Sequence, residues 1–396
     1  MMQGNLGQLL ILKVNELRWN SSLERLLRRL RPGGVVVDAP LSGGAETVCE
    51  FLYKVACAAP AVPFLAIEEE GGAMDPLGAF LPPLPSPRAV AEKGLAAVRR
   101  LGELVGAALQ LLGFNTDLAP LLDLPPPASE KWSCESVENL GRGTPPCGPE
   151  PPSGGPWPAA RRPWAAGWPA PTRETAATRA FSSDPHQVAK CGAAFLDGLE
   201  RRAVRACGKH FPGLACTQTS SATEPPVVSK SMAQLWREDL VPYRALLPRL
   251  PLVLVSTAAY KAYDFDLLQS AVLSHQVVEG LLRVKLGYLG VAIACGLETE
   301  AVRGTLTLEE AAVQVLRGGC DMLVLEQAEA AERVPAALDA ARESGKLPVP
   351  RFEQARERIR LAQKGLKPPT GKLSRKSLDG LVGEFTNFSN LFKDRR

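Results

Sequence analysis

Histidine is scarce in this sequence: the 396 residues include only His186, His210 and His275. Nine cysteines are present, but no two of them have the C-x-x-C spacing. A zinc site of ordinary ligand spacing is therefore not expected, and the sequence predicts neither a metal nor any other cofactor. Scattered cysteines in odd number, many of them inside apolar runs, are typical of reduced thiols in a reducing compartment.

Long hydrophobic runs and a strong net charge are also missing. The apolar run Leu9–Val14 is too short to cross a membrane, and it lacks the flanking features of a signal peptide. We therefore expect a cytoplasmic protein with no membrane span. The formal net charge is only +4, and basic residues are interspersed with acidic ones, which disfavours a dedicated nucleic-acid binder.

What the sequence does contain is a repeated alternation of short apolar runs with segments of helical period. No G-x-G-x-x-G follows an early run, which disfavours a dinucleotide-binding domain. Eightfold alternation predicts a single-domain (β/α)8 TIM-type barrel, with a doubly wound open sheet as the alternative. The apolar runs are nearly continuous, as buried parallel strands are. They are Leu9–Val14, Val35–Val37, Phe64–Ile67, Phe114–Leu118, Val204–Gly208, Leu252–Ser256, Val291–Ala294 and Met322–Leu325.

Helices are predicted between these runs from apolar spacing and capping residues. Ser21 and Thr307 each precede a Glu by three residues, which is the spacing of a capping box. The longer predicted helices are Pro87–Leu112, Pro185–Arg202, Met232–Leu246 and Asp266–Leu286.

One segment interrupts the alternation. Residues 125–171 hold 13 of the 35 prolines and four of the six tryptophans, with no apolar period. We expect the barrel to span residues 1–366, with 125–171 as an insertion that is removable and lies on the active-site face. Residues 367–396 form a basic tail, whose apolar residues predict either a helix docked on the barrel or a membrane or partner contact.

Seven sequence blocks occur in the order that one enzyme family shows. The most specific reads G-K-H-F-P-G at Gly208–Gly213. The others are Arg31–Val37, Ile67–Gly72, Gly113–Asp123, Arg179–Pro185, Leu282–Val291 and Gly319–Leu323. Together they resemble glycoside hydrolase family 3, in particular the short bacterial β-N-acetylhexosaminidases that consist of the N-terminal barrel domain alone. The resemblance implies a barrel and, by descent, hydrolysis of terminal β-N-acetylhexosamine in carbohydrate metabolism.

The residues that the family uses for catalysis are replaced. The family nucleophile is the first Asp of a strand-end S-D-D-L, and Cys295 stands at that position. The family acid/base is an Asp–His pair after K-H-F-P-G, and Ser220 and Ala222 stand there. Two interpretations of Cys295 remain open, a buried inert thiol and a nucleophile. Among other carboxylates at the predicted barrel mouth, Glu298 is the best candidate substitute.

The family's sugar-binding positions are partly kept: Arg179, Lys209 and His210 match, whereas Glu68 stands in place of an aspartate. The resemblance implies that Glu68, Arg179, Lys209 and His210 hydrogen-bond substrate hydroxyls, while Pro76 replaces an arginine of the family. A structural role for the Lys209–His210 pair is the alternative. We expect these four side chains and Cys295 to lie in one barrel mouth, because each follows or ends a predicted strand.

Three functions are compatible with this sequence. The first is a sugar-binding pseudoenzyme whose ligand is an N-acetylglucosamine-type carbohydrate. The second is an active or altered glycosidase that uses Glu298 or Cys295. The third is a non-catalytic protein-interaction scaffold that uses the insertion. A monomer is favoured, and neither nucleic acid nor a membrane is an expected partner.

Overall fold

The computed structural model describes residues 6–41, 43–125, 177–214, 217–218 and 224–393. Eight parallel strands close into a barrel in the order β1-β11-β10-β8-β5-β4-β3-β2, with helices around it. The predicted TIM-type barrel is confirmed, and the open-sheet alternative is wrong. The barrel strands are β1 (Leu10–Val14), β2 (Gly34–Val37), β3 (Phe64–Ile67), β4 (Thr116–Asp117), β5 (Arg205–Phe211), β8 (Leu252–Val255), β10 (Val291–Ala294) and β11 (Met322–Leu325). A second, small sheet contains β6 (Thr217–Gln218), β7 (Val227–Val228) and β9 (Ala259–Tyr260).

Each of the eight predicted runs overlaps a barrel strand, and two differ from it by more than one residue at an end. The run Phe114–Leu118 contributes only Thr116 and Asp117 to β4. The run Val204–Gly208 was too short: β5 continues to Phe211, so Lys209 and His210 lie inside the strand. The ladder between β5 and β8 shifts register between Lys209 and Phe211. Polar side chains inside this strand are tolerated because they face the mouth of the barrel, where carboxylates pair with them.

The helices correct several predictions. Asn20, and not Ser21, caps the first helix, since its Oδ1 accepts from the Leu23 amide at 2.9 Å. The capping box at Thr307 and Glu310 is confirmed. In the described residues the helices are α1 (Ser21–Leu30), α2 (Gly44–Ala58), α3 (Pro87–Glu92), α4 (Leu95–Leu112), α5 (Pro185–Glu200), α6 (Met232–Arg237), α7 (Leu240–Leu246), α8 (Glu300–Arg303), α9 (Leu308–Gly318), α10 (Ala328–Glu343), α11 (Val349–Gln363) and α12 (Arg375–Asn390).

Three long predicted helices are divided. Pro87–Leu112 breaks at Gly94, whose φ of +98° ends one helix before the next begins. Met232–Leu246 breaks at Glu238, which has a non-helical backbone. Asp266–Leu286 becomes a 3₁₀ turn, Ala271–Leu273, and a π-helix, Gln276–Lys285. Apolar spacing over ten residues does not distinguish a π-helix from an α-helix, because the two differ by about one residue per turn.

Helices α4 and α5 touch each other backbone to backbone. A Cβ on Gly198 would stand 2.5 Å from both the Arg99 carbonyl oxygen and the Glu103 amide nitrogen. A Cβ on Gly102 would stand 2.4 Å from the Phe195 carbonyl oxygen. These contacts are with backbone, so a larger side chain cannot be accommodated by rotating a neighbour. The two helices hold β4 and β5 next to each other, and β5 carries the central lysine of the site.

We therefore expect Gly198→Ala to lower the free energy of unfolding by about 1–3 kcal/mol, because the extra methyl group forces α4 and α5 apart. Gly380→Ala is the matched control: Gly380 lies in α12 with nothing within 4 Å of an added Cβ. That change should stabilise the protein by about 0.5–1 kcal/mol through helix propensity. Urea unfolding followed by circular dichroism measures both. Equal effects of the two substitutions would show that the α4–α5 seam is not tightly packed.

The C-terminal helix α12 packs on the barrel. Its buried residues are Leu381, Phe385 and Phe388, and Ser389 Oγ donates to the Pro83 carbonyl at 2.7 Å. This packing favours the prediction of a helix docked on the barrel over the prediction of a membrane contact. Within the residues that the structure describes, no helix combines the length and apolarity needed to cross a bilayer. The predicted insertion 125–171 lies, except for Pro125, outside the described residues, and the proposed domain boundaries stay predictions.

Candidate functional site

A cluster of four charged side chains forms the floor of the barrel mouth at the carboxyl end of the strands. Lys209 in β5 has no exposed surface, and its Nζ lies 2.5 Å from Glu68 Oε1 and 2.6 Å from Glu70 Oε1. Arg179 makes a bidentate ion pair with Glu70, in which Nε lies 2.8 Å from Oε2 and Nη2 lies 2.7 Å from Oε1. Its Nη2 also lies 3.2 Å from Glu68 Oε1. We call Glu68, Glu70, Arg179 and Lys209 the floor cluster.

Glu70, Lys209 and Arg179 of the floor cluster are each held in the charged form by their neighbours. Burial by itself would raise the pKa of Glu70, but Arg179 and Lys209 outweigh it and hold that pKa well below its usual range. Burial would lower the pKa of Lys209, yet Glu68 and Glu70 raise it above the ordinary value. The pKa of Arg179 is raised in the same way, mainly by Glu70. The buried charges are therefore compensated by hydrogen-bonded partners, as burial requires.

This geometry bears on the two interpretations of Lys209. A buried lysine needs a partner, and we expected either a ligand or a carboxylate to supply one. The structure supplies two carboxylates, so the burial of Lys209 does not by itself indicate a sugar. Glu70 is the residue that joins Arg179 to Lys209.

His210 is oriented by the carboxylate of Asp123. Its Nδ1 lies 2.7 Å from Asp123 Oδ2, while Asp123 Oδ1 accepts from the amides of His210 at 3.1 Å and Leu214 at 2.9 Å. Both carboxylate oxygens of Asp123 are therefore hydrogen-bonded, to His210 at the end of β5 and to Leu214 in the loop that follows. The imidazole keeps its Nε2 edge for the mouth, since about a fifth of the side chain is exposed.

A second group of charges in the mouth was missed. Lys13 in β1 has its Nζ 2.7 Å from Asp38 Oδ2 and 3.6 Å from Glu326 Oε2. Burial raises the pKa of Asp38, and Glu68 adds to that effect, so this group lies beside the floor cluster. The signal was present in the sequence, because each of the three residues ends or directly follows a nearly continuous apolar run.

Cys295 follows β10 directly and is half-buried. Burial raises the pKa of its thiol to about 12, and the negative charges of Glu326, Glu68 and Glu298 add to this, while Lys13 opposes it. The thiol is therefore protonated near neutral pH. The structure brings Glu68, Arg179 and Lys209 into direct contact and places Cys295 within electrostatic reach of Glu68.

Glu298, the candidate substitute carboxylate, lies in the loop after β10. Its Oε1 accepts from the Glu326 amide at 2.8 Å. Burial raises its pKa, and the charge of Glu326 raises it further. Ser220 and Ala222, at the family's acid/base positions, lie outside the described residues. Among the described residues, no group of three or more His, Cys, Asp or Glu side chains is arranged to hold a metal ion.

We expect Cys295 to react slowly with iodoacetamide. With a pKa of about 12, only about one thiol in ten thousand is ionised at pH 8, and the thiolate is the nucleophile. Exposed Cys57 on α2 is the internal comparison and should be alkylated first. Peptide mass spectrometry after timed labelling follows each cysteine separately, and labelling in urea confirms that Cys295 is detectable. Labelling of native Cys295 as fast as Cys57 would instead support the nucleophile interpretation.

Comparison with known proteins shows what the chain is similar to. Residues 170–362 match the model described as the glycosyl hydrolase family 3 N terminal domain. A β-hexosaminidase of Pseudomonas aeruginosa is 26% identical over 327 residues, which cover 81% of this chain and 83% of that protein. Over residues 170–362 the chain is similar to the N-terminal domain of glycoside hydrolase family 3.

Two further matches show how far the likeness extends. A β-hexosaminidase of Tolumonas auensis is 34% identical over 148 residues, but these cover only 37% of this chain and 43% of that relative. The β-N-acetylglucosaminidase of Thermotoga maritima superposes with a TM-score of 0.73 at 22% identity, covering 97% of this chain and 70% of that one. At this identity the structural match shows the shared barrel. The similarity to glycoside hydrolase family 3 and to β-hexosaminidases rests on the sequence matches.

Proposed function

We propose that this protein binds a terminal N-acetylhexosamine-type sugar in the barrel mouth without hydrolysing its glycosidic bond. The observation that carries the proposal is the state of Cys295. At the position that the family resemblance assigns to the nucleophile stands a thiol with a pKa of about 12, beside an intact floor cluster. The protein thus has the means to hold a sugar and lacks the means to attack it.

Retention of binding is supported by the polar atoms that face the mouth. Glu68 has 35% of its side chain exposed, and Arg179 and His210 are also partly exposed. Sugar hydroxyls both donate and accept hydrogen bonds, so a carboxylate beside a guanidinium and an imidazole suits them.

Loss of hydrolysis is supported by the chemistry that a retaining glycosidase needs. Two groups must flank the bond, a nucleophile and a general acid that later becomes a base. A protonated thiol is a poor nucleophile. Neither Ser220 nor Ala222 has a side chain that can protonate the leaving oxygen near neutral pH.

One observation favours the second candidate function, an altered glycosidase. The raised pKa of Glu298 increases its protonated fraction, as a general acid requires, and its charge acts on Cys295. Its Oε1, however, is bound to a backbone amide. The scaffold function depends on the insertion, which lies outside the described residues.

Isothermal titration calorimetry with N-acetylglucosamine tests the binding half of the proposal. We expect saturable binding by the wild-type chain, and roughly tenfold weaker binding by Glu68→Gln, because a charge-assisted hydrogen bond to a hydroxyl is lost. Glu50→Gln is the control, since Glu50 pairs with Lys54 on the surface of α2. Absence of binding by the wild-type chain, or equal affinities for all three proteins, would contradict a sugar site at the floor cluster.

A further inference from the structure

A second cavity lies at the opposite end of the barrel from the mouth. Its volume is about 550 Å³, within the range of roughly 300–1,000 Å³ that small-molecule sites occupy. It opens beneath the amino ends of three strands: Arg205 begins β5, Pro251 precedes β8 and Gly290 precedes β10. None of the residues of the floor cluster lines it, so it is a separate site from the proposed sugar site.

The walls of this cavity are largely aliphatic. They include Leu196 of α5, Val204, Leu250 and Leu286. At its rim, Leu289 is 81% exposed and Leu361 of α11 is 52% exposed. Single exposed leucines are common on protein surfaces, but two on the rim of one apolar cavity form a surface that an aliphatic chain would cover.

Three arginines also line the cavity, and two of them contact carboxylates. Arg249 Nη2 lies 2.8 Å from Asp197 Oδ1 and 2.9 Å from Glu200 Oε2. Arg358 Nη1 lies 3.1 Å from Asp321 Oδ1. Asp321 is shared with Arg283 and Arg351, but both cavity guanidiniums have a carboxylate partner, whereas the third has none among the described residues.

Arg205 differs from the other two. Its Nη2 donates to the Lys364 carbonyl at 2.7 Å, but it has no carboxylate partner within the part of the chain that the structure describes. Its Nε is buried and has no hydrogen-bond partner there. A buried N–H without an acceptor is unfavourable, and a guanidinium presents a fork of N–H groups that matches a carboxylate. The cavity therefore combines apolar walls with one uncompensated anion receptor.

We propose that this cavity binds a linear aliphatic monocarboxylate, with the carboxylate on Arg205 and the chain along the leucine-lined wall. The carboxylate supplies the negative charge that Arg205 lacks as a partner. The chain removes Leu289 and Leu361 from water. A sugar fits this cavity poorly, since its hydroxyls would face aliphatic side chains. The ligand would be bound independently of the sugar at the other end of the barrel.

Titration calorimetry of the full chain with octanoate, 1-octanol and octylamine tests the proposal. We expect octanoate to bind roughly tenfold more tightly than 1-octanol, with octylamine weakest, because only the carboxylate pairs with Arg205. Arg205→Met keeps the apolar stem and should weaken octanoate binding roughly tenfold while leaving 1-octanol unchanged. Arg317→Met, on the exposed part of α9, is the control and should change neither affinity.

A second variant protects the test against misfolding of Arg205→Met. Leu361→Glu places a negative charge at an exposed rim position and should also weaken octanoate relative to octylamine. Saturating N-acetylglucosamine should leave octanoate affinity unchanged, which separates this site from the proposed sugar site. Equal affinities for octanoate and 1-octanol, no binding of octanoate, or displacement of octanoate by the sugar would overturn the proposal.

Discussion

The purified protein is expected to release no measurable 4-nitrophenol from 4-nitrophenyl β-N-acetylglucosaminide. Loss of general acid–base help typically slows a reaction about 10²–10⁴-fold. The aryl group is a good leaving group and relieves only that requirement, so the absence of a nucleophile at Cys295 still blocks the covalent route. Absorbance measured against a protein-free blank checks the result.

Restoring the family's catalytic side chains in steps shows how much the nucleophile and the acid/base pair each contribute to hydrolysis. Cys295→Asp should restore partial turnover on the aryl substrate and little on natural disaccharides, because no proton donor stands at Ser220 or Ala222. Adding Ser220→Asp and Ala222→His supplies the family's side chains, and the effects should not be additive within one catalytic unit. Cys57→Asp, on the outer surface, is the control for the added charge. Robust wild-type turnover that disappears in Glu298→Gln would show that Glu298 catalyses and that the pseudoenzyme proposal is wrong.

Glu70→Gln should lower the free energy of unfolding by about 3–5 kcal/mol, because removing one partner of a buried ion pair leaves uncompensated charge. Glu70 is almost fully buried and contacts both Arg179 and Lys209, which would remain close to each other with only Glu68 between them. Urea unfolding measures the loss. Glu50→Gln is again the control, and an exposed i,i+4 pair such as Glu50–Lys54 contributes only about 0.3–0.5 kcal/mol.

The pH dependence of stability provides a second readout for Glu70. Its pKa is lowered in the folded state, so its contribution is fully present above the unfolded-state pKa of about 4.3 and is lost as the pH falls below that value. Wild-type stability should therefore fall more steeply than that of Glu70→Gln between about pH 5 and pH 3. Parallel pH profiles for the two proteins would show that Glu70 is not held ionised by the floor cluster.

Sequence reasoning located the strands because each is a short, nearly continuous apolar run buried on both faces. It located Glu68, Lys209 and Cys295 because residues at strand ends converge on the mouth. It missed the Lys13–Asp38–Glu326 group although the same rule applies to it, since Asp38 and Glu326 directly follow β2 and β11, the two neighbours of β1. It missed the break at Gly94 because a glycine within a helical pattern can either continue the helix or end it.

The floor cluster has a consequence for the segment that contains residues 125–171. Asp123, two residues before that segment, is bonded to His210, and Arg179, shortly after it, is bonded to Glu70. The chain therefore leaves and re-enters the barrel at two points that are fixed on the same mouth, whatever lies between them. The entropic free-energy cost of closing a flexible loop between fixed points rises by only about 0.6 kcal/mol for each doubling of its length. Evolution can lengthen, shorten or exchange the sequence between these two anchors at little thermodynamic expense, while the strands that carry the anchors keep the mouth in place.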